Sequence, residues 1–127
     1  MKRVPAPFGQ LPLAEMEAGL ARPIATTRIE PAEISRRLGI RFESAKDDLD
    51  ELQAALIRSP SGRQFALVRH LHQPLPGTDI LTNENSRNYA GDLRESLAIL
   101  KLTLDDMDWV HPDAAEIHEK AARPSVR

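Results

Sequence analysis

Two histidines lie two residues apart in the segment VRHLH, at His70 and His72. Side chains at positions i and i+2 of a β-strand point to the same face, so this pair can approach one metal ion. Imidazole nitrogens are common ligands of divalent transition metals, but a site needs further ligands. The sequence offers no dedicated third ligand at a recognisable spacing. His70 and His72 are therefore weak metal candidates, and we predict no resident metal or other cofactor.

Negative charge is concentrated in the segment AKDDLDE. Three interpretations stay open: a solvated face of a helix, a contact surface for a basic patch on another protein, or a recognition helix that enters a DNA groove. Trp109, the single tryptophan, is either buried against a sheet or the anchor of an interface. The predicted protein-interaction surface consists of Glu43, Asp47, Asp48, Asp50, Glu51 and Trp109.

Positive charge flanks this acidic segment on both sides. These side chains could reach DNA phosphates around the rim of a recognition element, which would make duplex DNA a partner. Acidic residues in the centre of such a footprint would repel the same phosphates. The alternative nucleic-acid-binding set consists of Arg36, Arg37, Arg41, Lys46, Arg58 and Arg63.

No catalytic arrangement of serines, histidines and acids can be recognised in the chain. Asp105, Asp106 and Asp108 lack the downstream spacing of a calcium loop, so they are expected to act as helix-capping and surface acids. We predict that the protein is not an enzyme. A metal-dependent sensor or enzyme is retained as a third hypothesis.

The composition is that of one ordinary globular domain. The chain has 127 residues, 41% hydrophobic and 28% charged, with a formal net charge of −2. A free-standing nucleic-acid binder is more often basic, so this balance does not favour DNA. The chain has no cysteine, which excludes disulfides and thiolate chemistry. Because no apolar run reaches membrane-spanning length and no secretory signal is evident, we expect a cytoplasmic protein that does not bind membranes.

The periodicity of apolar residues predicts the elements that would position these side chains. Helices are expected over residues 13–22, 31–39, 43–56 and 88–102, because leucines and isoleucines recur there at helical spacing. The segments 24–30, 56–59, 63–71 and 78–81 favour extended structure, and SPSGR is a turn between two strands. In the last helix, Leu93, Leu97 and Leu100 face inward. Exposure of Tyr89, Ile99 and Leu102 would indicate a homodimer surface.

Residues 13–68 resemble the winged helix-turn-helix fold of small bacterial transcriptional repressors. The resemblance lies in Glu33, Ile34, Ser35, Leu38, Gly39 and Ile40, which fit the first helix of that family and its turn. Ala45, Leu49 and Leu52 then fall six, ten and thirteen residues after the glycine. The family next has a small residue, two apolar residues and a basic residue before a two-stranded wing. The segment Ala55–Arg58 matches that pattern, and SPSGR would be the tip of the wing. The resemblance implies that Ile34 and Leu38 pack against Leu49 and Leu52.

We therefore expect an α+β fold with a winged-helix-like N-terminal half, followed by a third strand, a helix and a short terminal strand. The expected division is an extended proline-rich arm at 1–12, a single domain at 13–111 and a polar tail at 112–127. Within the domain, 13–72 is winged-helix-like and 73–111 is a strand-helix extension. The predicted function is a non-enzymatic interaction or regulatory subunit that contacts another protein or forms a homodimer. A dimeric DNA-binding regulator is the alternative.

Overall fold

A single antiparallel sheet organises the part of the protein that the computed structural model describes, which is residues 8–46 and 50–115. Its neighbouring strands follow the order β1-β4-β5-β6-β2-β7, and β3 pairs with the same side of β4 as β1. The strands are β1 Gly9–Leu11, β2 Arg22–Thr27, β3 Glu43–Lys46, β4 Glu51–Arg58, β5 Gln64–His70, β6 Thr78–Thr82 and β7 Met107–Val110. The helices are α1 Pro31–Leu38 and α2 Tyr89–Leu100, residues 112–115 are helical as well, and short 3-10 turns cover Leu13–Glu15 and Leu104–Asp106. The predicted polar tail therefore begins with helical residues, and its Ala114 is buried in the core.

Strands β4 and β5 form the centre of the sheet and are buried on both faces. Side chains alternate between the faces along a strand, so each strand contributes to two apolar clusters. The larger cluster includes Ile57 and Leu67 and is covered by residues of both helices. The smaller includes Leu56 and Ala66 and is covered by Leu20 and neighbouring residues of the segment before β2. We call the face of the sheet that carries the larger cluster the helix face, and the face that carries the smaller cluster the open face.

Helix α1 begins and ends as the sequence predicts, and α2 lies within the predicted range 88–102. Pro31 occupies the first turn of α1, where a missing amide donor costs nothing, and Gly39 ends the helix with φ 73°. The Asn88 side chain accepts a hydrogen bond from the Gly91 amide and caps α2. The predicted leucine stripe of α2 is buried in the core. Ile99 and Leu102 are also buried, so these two side chains do not form a homodimer surface.

The prediction of a second helix at 43–56 was wrong. Residues 43–46 and 51–58 are the strands β3 and β4, which pair in register from Glu43 opposite Ala54 to Lys46 opposite Glu51. Ala54–Ile57 are all buried between the two faces, an environment that favours a central strand whatever the helix propensity of alanine and leucine. The described residues therefore hold strands where a helix-turn-helix needs its second helix. The α+β class is confirmed, and the winged-helix arrangement is not.

Two further expectations on packing fail with that helix. Ile34 and Leu38 belong to the cluster on the helix face, whereas Leu52 packs with the cluster on the open face. Leu49 lies outside the described residues. The predicted helix at 13–22 is a single 3-10 turn that ends where Met16 is extended with ψ 127°, and an irregular segment follows in which Gly19 adopts φ 83°. Residues 9–11 of the predicted arm form β1.

A buried carboxylate fastens α2 to the turn between β4 and β5. Asp92 is 1% exposed and lies in the first turn of the helix. It accepts hydrogen bonds from the hydroxyls of Thr82 at 2.8 Å and Ser86 at 2.5 Å, and pairs with the Arg63 guanidinium at 2.7 Å. One turn further along the helix, Glu95 accepts a hydrogen bond from the Ser61 hydroxyl. The predicted SPSGR turn is thus present and held against the helix.

Candidate interaction edge

The last strand of the sheet, β7, has a partner on one side only among the described residues. It pairs with β2, with Thr26 opposite Trp109 and Ala25 opposite Val110. The turn before it is held in place because the Thr27 hydroxyl and the Arg28 amide both donate to the Asp106 carbonyl, at 2.8 and 3.0 Å. This strand confirms the predicted short terminal strand around Trp109.

The backbone of β7 presents hydrogen-bonding groups on its outer side. The His111 amide donates inward to the Ile24 carbonyl at 2.8 Å. Because the amides of successive strand residues point to opposite sides, the Val110 amide points away from β2. An unpaired row of this kind can accept a further strand.

An aromatic group marks the same edge. Trp109 is 43% exposed and lies on the open face in one row with Thr26 and Asp79. Its ring contacts His111 edge to face, with centroids 6.0 Å apart, and His111 contacts Tyr89 in the same way at 5.0 Å. The Asp113 amide donates to His111 Nδ1 at 3.0 Å, which orients the imidazole. Trp109 is therefore supported by neighbouring rings and stays accessible.

Exposed acids lie close to the tryptophan in the sequence. Asp105 and Asp108 lie on the turn before β7 and on the strand itself, and Asp113 follows it. Leu104, 40% exposed, adds apolar surface next to Asp105. The outer backbone of β7, which is unpaired among the described residues, thus lies beside an indole ring and negative charge. We call this surface the β7 edge.

The opposite side of the sheet is different. There β1 and β3 share one side of β4, and the Gln10 side chain bonds to both backbone groups of Arg41, at 2.6 and 2.9 Å. The strand β3 carries Glu43 and Lys46, both exposed. Charged residues on a short edge strand are a common protection against pairing with other chains. The β7 edge also carries a charged residue, Asp108, but next to it lies an exposed tryptophan.

The predicted acidic surface is dispersed in the structure. Glu43 and Glu51 lie on β3 and β4 and point to opposite faces of that hairpin, since Glu43 is opposite Ala54 and Glu51 is three residues earlier. The Asp50 carboxylate accepts from the His72 amide at 2.9 Å and contacts His72 Nδ1 at 2.8 Å. The His72 amide is the main reason why the pKa of Asp50 is lowered. Asp47 and Asp48 lie outside the described residues.

The basic residues of the alternative DNA footprint lie on separate elements. Arg36 and Arg37 are on α1 and both pair with Glu33, whose pKa they lower to about 2. Arg63 pairs with Asp92. The others lie after α1, on β3 and at the end of β4, at Arg41, Lys46 and Arg58. The recognition helix that they were expected to flank is a pair of strands.

The two candidate metal ligands point to different surroundings. His72 is bound to Asp50, and His70 belongs to β5 opposite Leu52. Within residues 8–46 and 50–115, no group of three or more histidine or acidic side chains is arranged to hold a metal ion. Over the same residues, no helix is long and apolar enough to cross a membrane.

Comparison of the chain with models of known protein families, with curated proteins and with solved structures finds no match.

Sequence reasoning identified Trp109 and missed the surface around it. The acids at 105 and 108 were expected to act as helix-capping and surface acids, and His111 and Tyr89 were not linked to the tryptophan. No local pattern linked them, because His111 follows the last residue of β7 and the alternation of side chains along a strand does not apply to it. The contact between His111 and Tyr89 depends on the position of α2, which no local pattern reveals.

Proposed function

We propose that this protein is a non-enzymatic interaction module that binds an extended segment of a partner protein along the β7 edge. The single observation that carries this proposal is the exposed Trp109 on a strand whose outer side is unpaired among the described residues. Addition of a partner strand would satisfy the outward backbone groups of β7, including the Val110 amide. The indole would supply the apolar contact area that dominates many interfaces.

The charge of the β7 edge supports a basic partner. Asp105, Asp108 and Asp113 are exposed and lie within four residues of Trp109 in the sequence. Lysine or arginine side chains on the added strand would face these carboxylates, and one of them could lie over the indole as a cation–π contact. The same acids oppose self-association, because two copies of β7 placed side by side would bring like charges together. A partner of different sequence therefore fits better than a homodimer.

The experiment uses Trp109 as its own reporter, since the chain has one tryptophan. The full-length protein is titrated with two blocked heptapeptides, KVKVKVK and EVEVEVE, while indole emission is recorded. We expect a saturable blue shift with the lysine peptide and a response at least about tenfold weaker with the glutamate peptide.

Two variants distinguish binding at the β7 edge from nonspecific apolar binding. Replacing Asp108 by asparagine should weaken the lysine peptide by about 1.5- to 5-fold, the range of an exposed ion pair. Leu75→Ala, which removes an even more exposed apolar side chain from the β5–β6 loop, should leave the titration unchanged. Equal responses to both peptides, or no response to either, would contradict the proposal.

A further inference from the structure

A second surface, distant in sequence from the β7 edge, lies where the helix face of β3, β4 and β5 extends beyond the apolar core. An open cleft of about 820 Å³ lies there, and its lining also includes Ala45, Leu52 and His70 from the open face. Pockets of this size accommodate small organic ligands. The side chains that line it on this face are Ser44, Lys46, Glu51, Gln53, Arg69 and Leu71.

The strand register arranges these side chains in two rows. Arg69 is opposite Gln53, which is opposite Ser44, so one polar row crosses three strands. In the next row Glu51 is opposite Lys46, and the Leu71 amide donates to the Glu51 carbonyl at 2.8 Å. Adjacent strands are about 4.8 Å apart, so each row spans about 10 Å of sheet surface. The rows lie on the same face as Leu67 and Ile57, because positions i and i+2 share a face.

Two backbone carbonyls hold the Arg69 side chain in this cleft. Its Nη1 donates to the carbonyls of Leu75 and Gly77, each at 3.0 Å, and the side chain is half-buried. None of the carboxylates in the described part of the chain forms an ion pair with it. A half-buried guanidinium that pairs with none of the described carboxylates favours an anionic ligand.

We propose that this cleft binds a small organic ligand through carboxylate or phosphate oxygens. Arg69 supplies the fixed guanidinium, and its Nε and Nη2 donors are not used by the described residues. Lys46 supplies a second positive charge two strands away, and Gln53 and Ser44 offer neutral hydrogen-bonding groups between them. Glu51 limits the affinity for a simple anion, because it places a negative charge in the second row. The site is independent of the β7 edge and does not rest on its proposed function.

The test is a two-dimensional ¹H–¹⁵N NMR titration of the full chain at constant ionic strength. Sodium phosphate and sodium succinate are the probes, with sodium chloride as the reference salt. We expect a saturable shift of the Arg69 Nε–H and of amides in β3, β4 and β5 with phosphate, succinate or both. The stronger of the two identifies the chemical source of the anion. Equal shifts with chloride would overturn the proposal.

Four variants assign the site. Arg69→Gln should weaken the binding by at least about tenfold, as expected for a hydrogen bond to a charged group. Lys46→Gln, an exposed position that does not anchor a loop, should weaken it by about 1.5- to 5-fold, and Glu51→Gln should strengthen it by a similar factor. Arg58→Gln removes the same charge at the other end of β4 and should have no effect. If Arg58→Gln weakens the binding as much as Lys46→Gln, or if Glu51→Gln weakens it, the proposed anion site is wrong.

Discussion

Replacing Asp92 by alanine is the most informative perturbation of the fold. Its carboxylate joins three parts of the chain, since Thr82 ends β6, Ser86 lies in the following loop and Arg63 ends the β4–β5 turn. The substitution removes all three interactions at one buried point. We expect a cooperative loss of stability without a change of fold.

The magnitude follows from the exposure of each partner. Thr82 is 1% exposed, so its hydroxyl would lose its acceptor in a site that water does not reach, at a cost of about 1–3 kcal/mol. The half-buried Ser86 contributes about 1 kcal/mol. Arg63 is 47% exposed, and solvent screening limits its share to less than about 1 kcal/mol. The expected loss is about 2–5 kcal/mol, a large part of the stability of a typical domain.

Urea unfolding followed by far-ultraviolet circular dichroism measures this loss. The midpoint should fall by about 2 M at an m-value of about 1.5–2 kcal/mol/M. Glu43→Ala, which removes an exposed carboxylate from β3, should change stability by less than about 0.5 kcal/mol. Thr82→Val combined with Asp92→Ala should be less destabilising than the two single changes added together. A loss below about 1 kcal/mol for Asp92→Ala would show that its carboxylate does not hold these three parts of the chain together.

Two other perturbations test local features of the fold. Gly77→Ala would place a methyl group 2.1 Å from the Thr27 carbonyl oxygen at φ 125°, and should cost at least about 2 kcal/mol in urea unfolding. Gly62→Ala, at φ 91° with open space around it, should cost only about 1 kcal/mol, and an equal cost for both would contradict the contact. The pKa of Glu33 is lowered to about 2 from 4.5, so its contribution to stability is present above about pH 5 and is lost as the pH falls toward 2. The stability difference between the wild type and Glu33→Gln should therefore shrink between pH 5 and pH 2, and a difference that stays constant would exclude the ion pairs as its source.

The sequence reliably indicates the elements whose signals are local. Pro31 and Gly39 bracket α1, the leucine stripe defines α2, and SPSGR marks the turn between β4 and β5. At 43–56 the same kind of signal misleads, because Ala45, Leu52 and Leu56 fit a helical stripe as well as one face of a hairpin. Ala45 lies directly opposite Leu52, so the loop between the strands brings both to the open face. Only burial of β4 on both faces, a tertiary effect, decides between the two patterns.

The candidate site was predictable in its anchor and not in its surroundings. A lone tryptophan near the end of the chain suggests either core or interface, and its exposure depends on β7 being the last strand in the described sheet. That order results from β2 pairing with both β6 and β7, residues more than 50 positions away. The cleft around Arg69 depends equally on long-range register, since its three strands meet only in the folded sheet.

Amide hydrogen exchange at Val110 measures strand addition at the β7 edge without an intermediate assumption. We expect this outward amide to exchange rapidly in the free protein and to become protected when KVKVKVK is added at saturating concentration. Trp109→Ala should lower the affinity for the peptide by at least about 30-fold, the size of an interface hot spot. The peptide should then protect the Val110 amide correspondingly less. Slow exchange at Val110 in the free protein, or unchanged exchange with peptide bound, would contradict strand addition at the β7 edge.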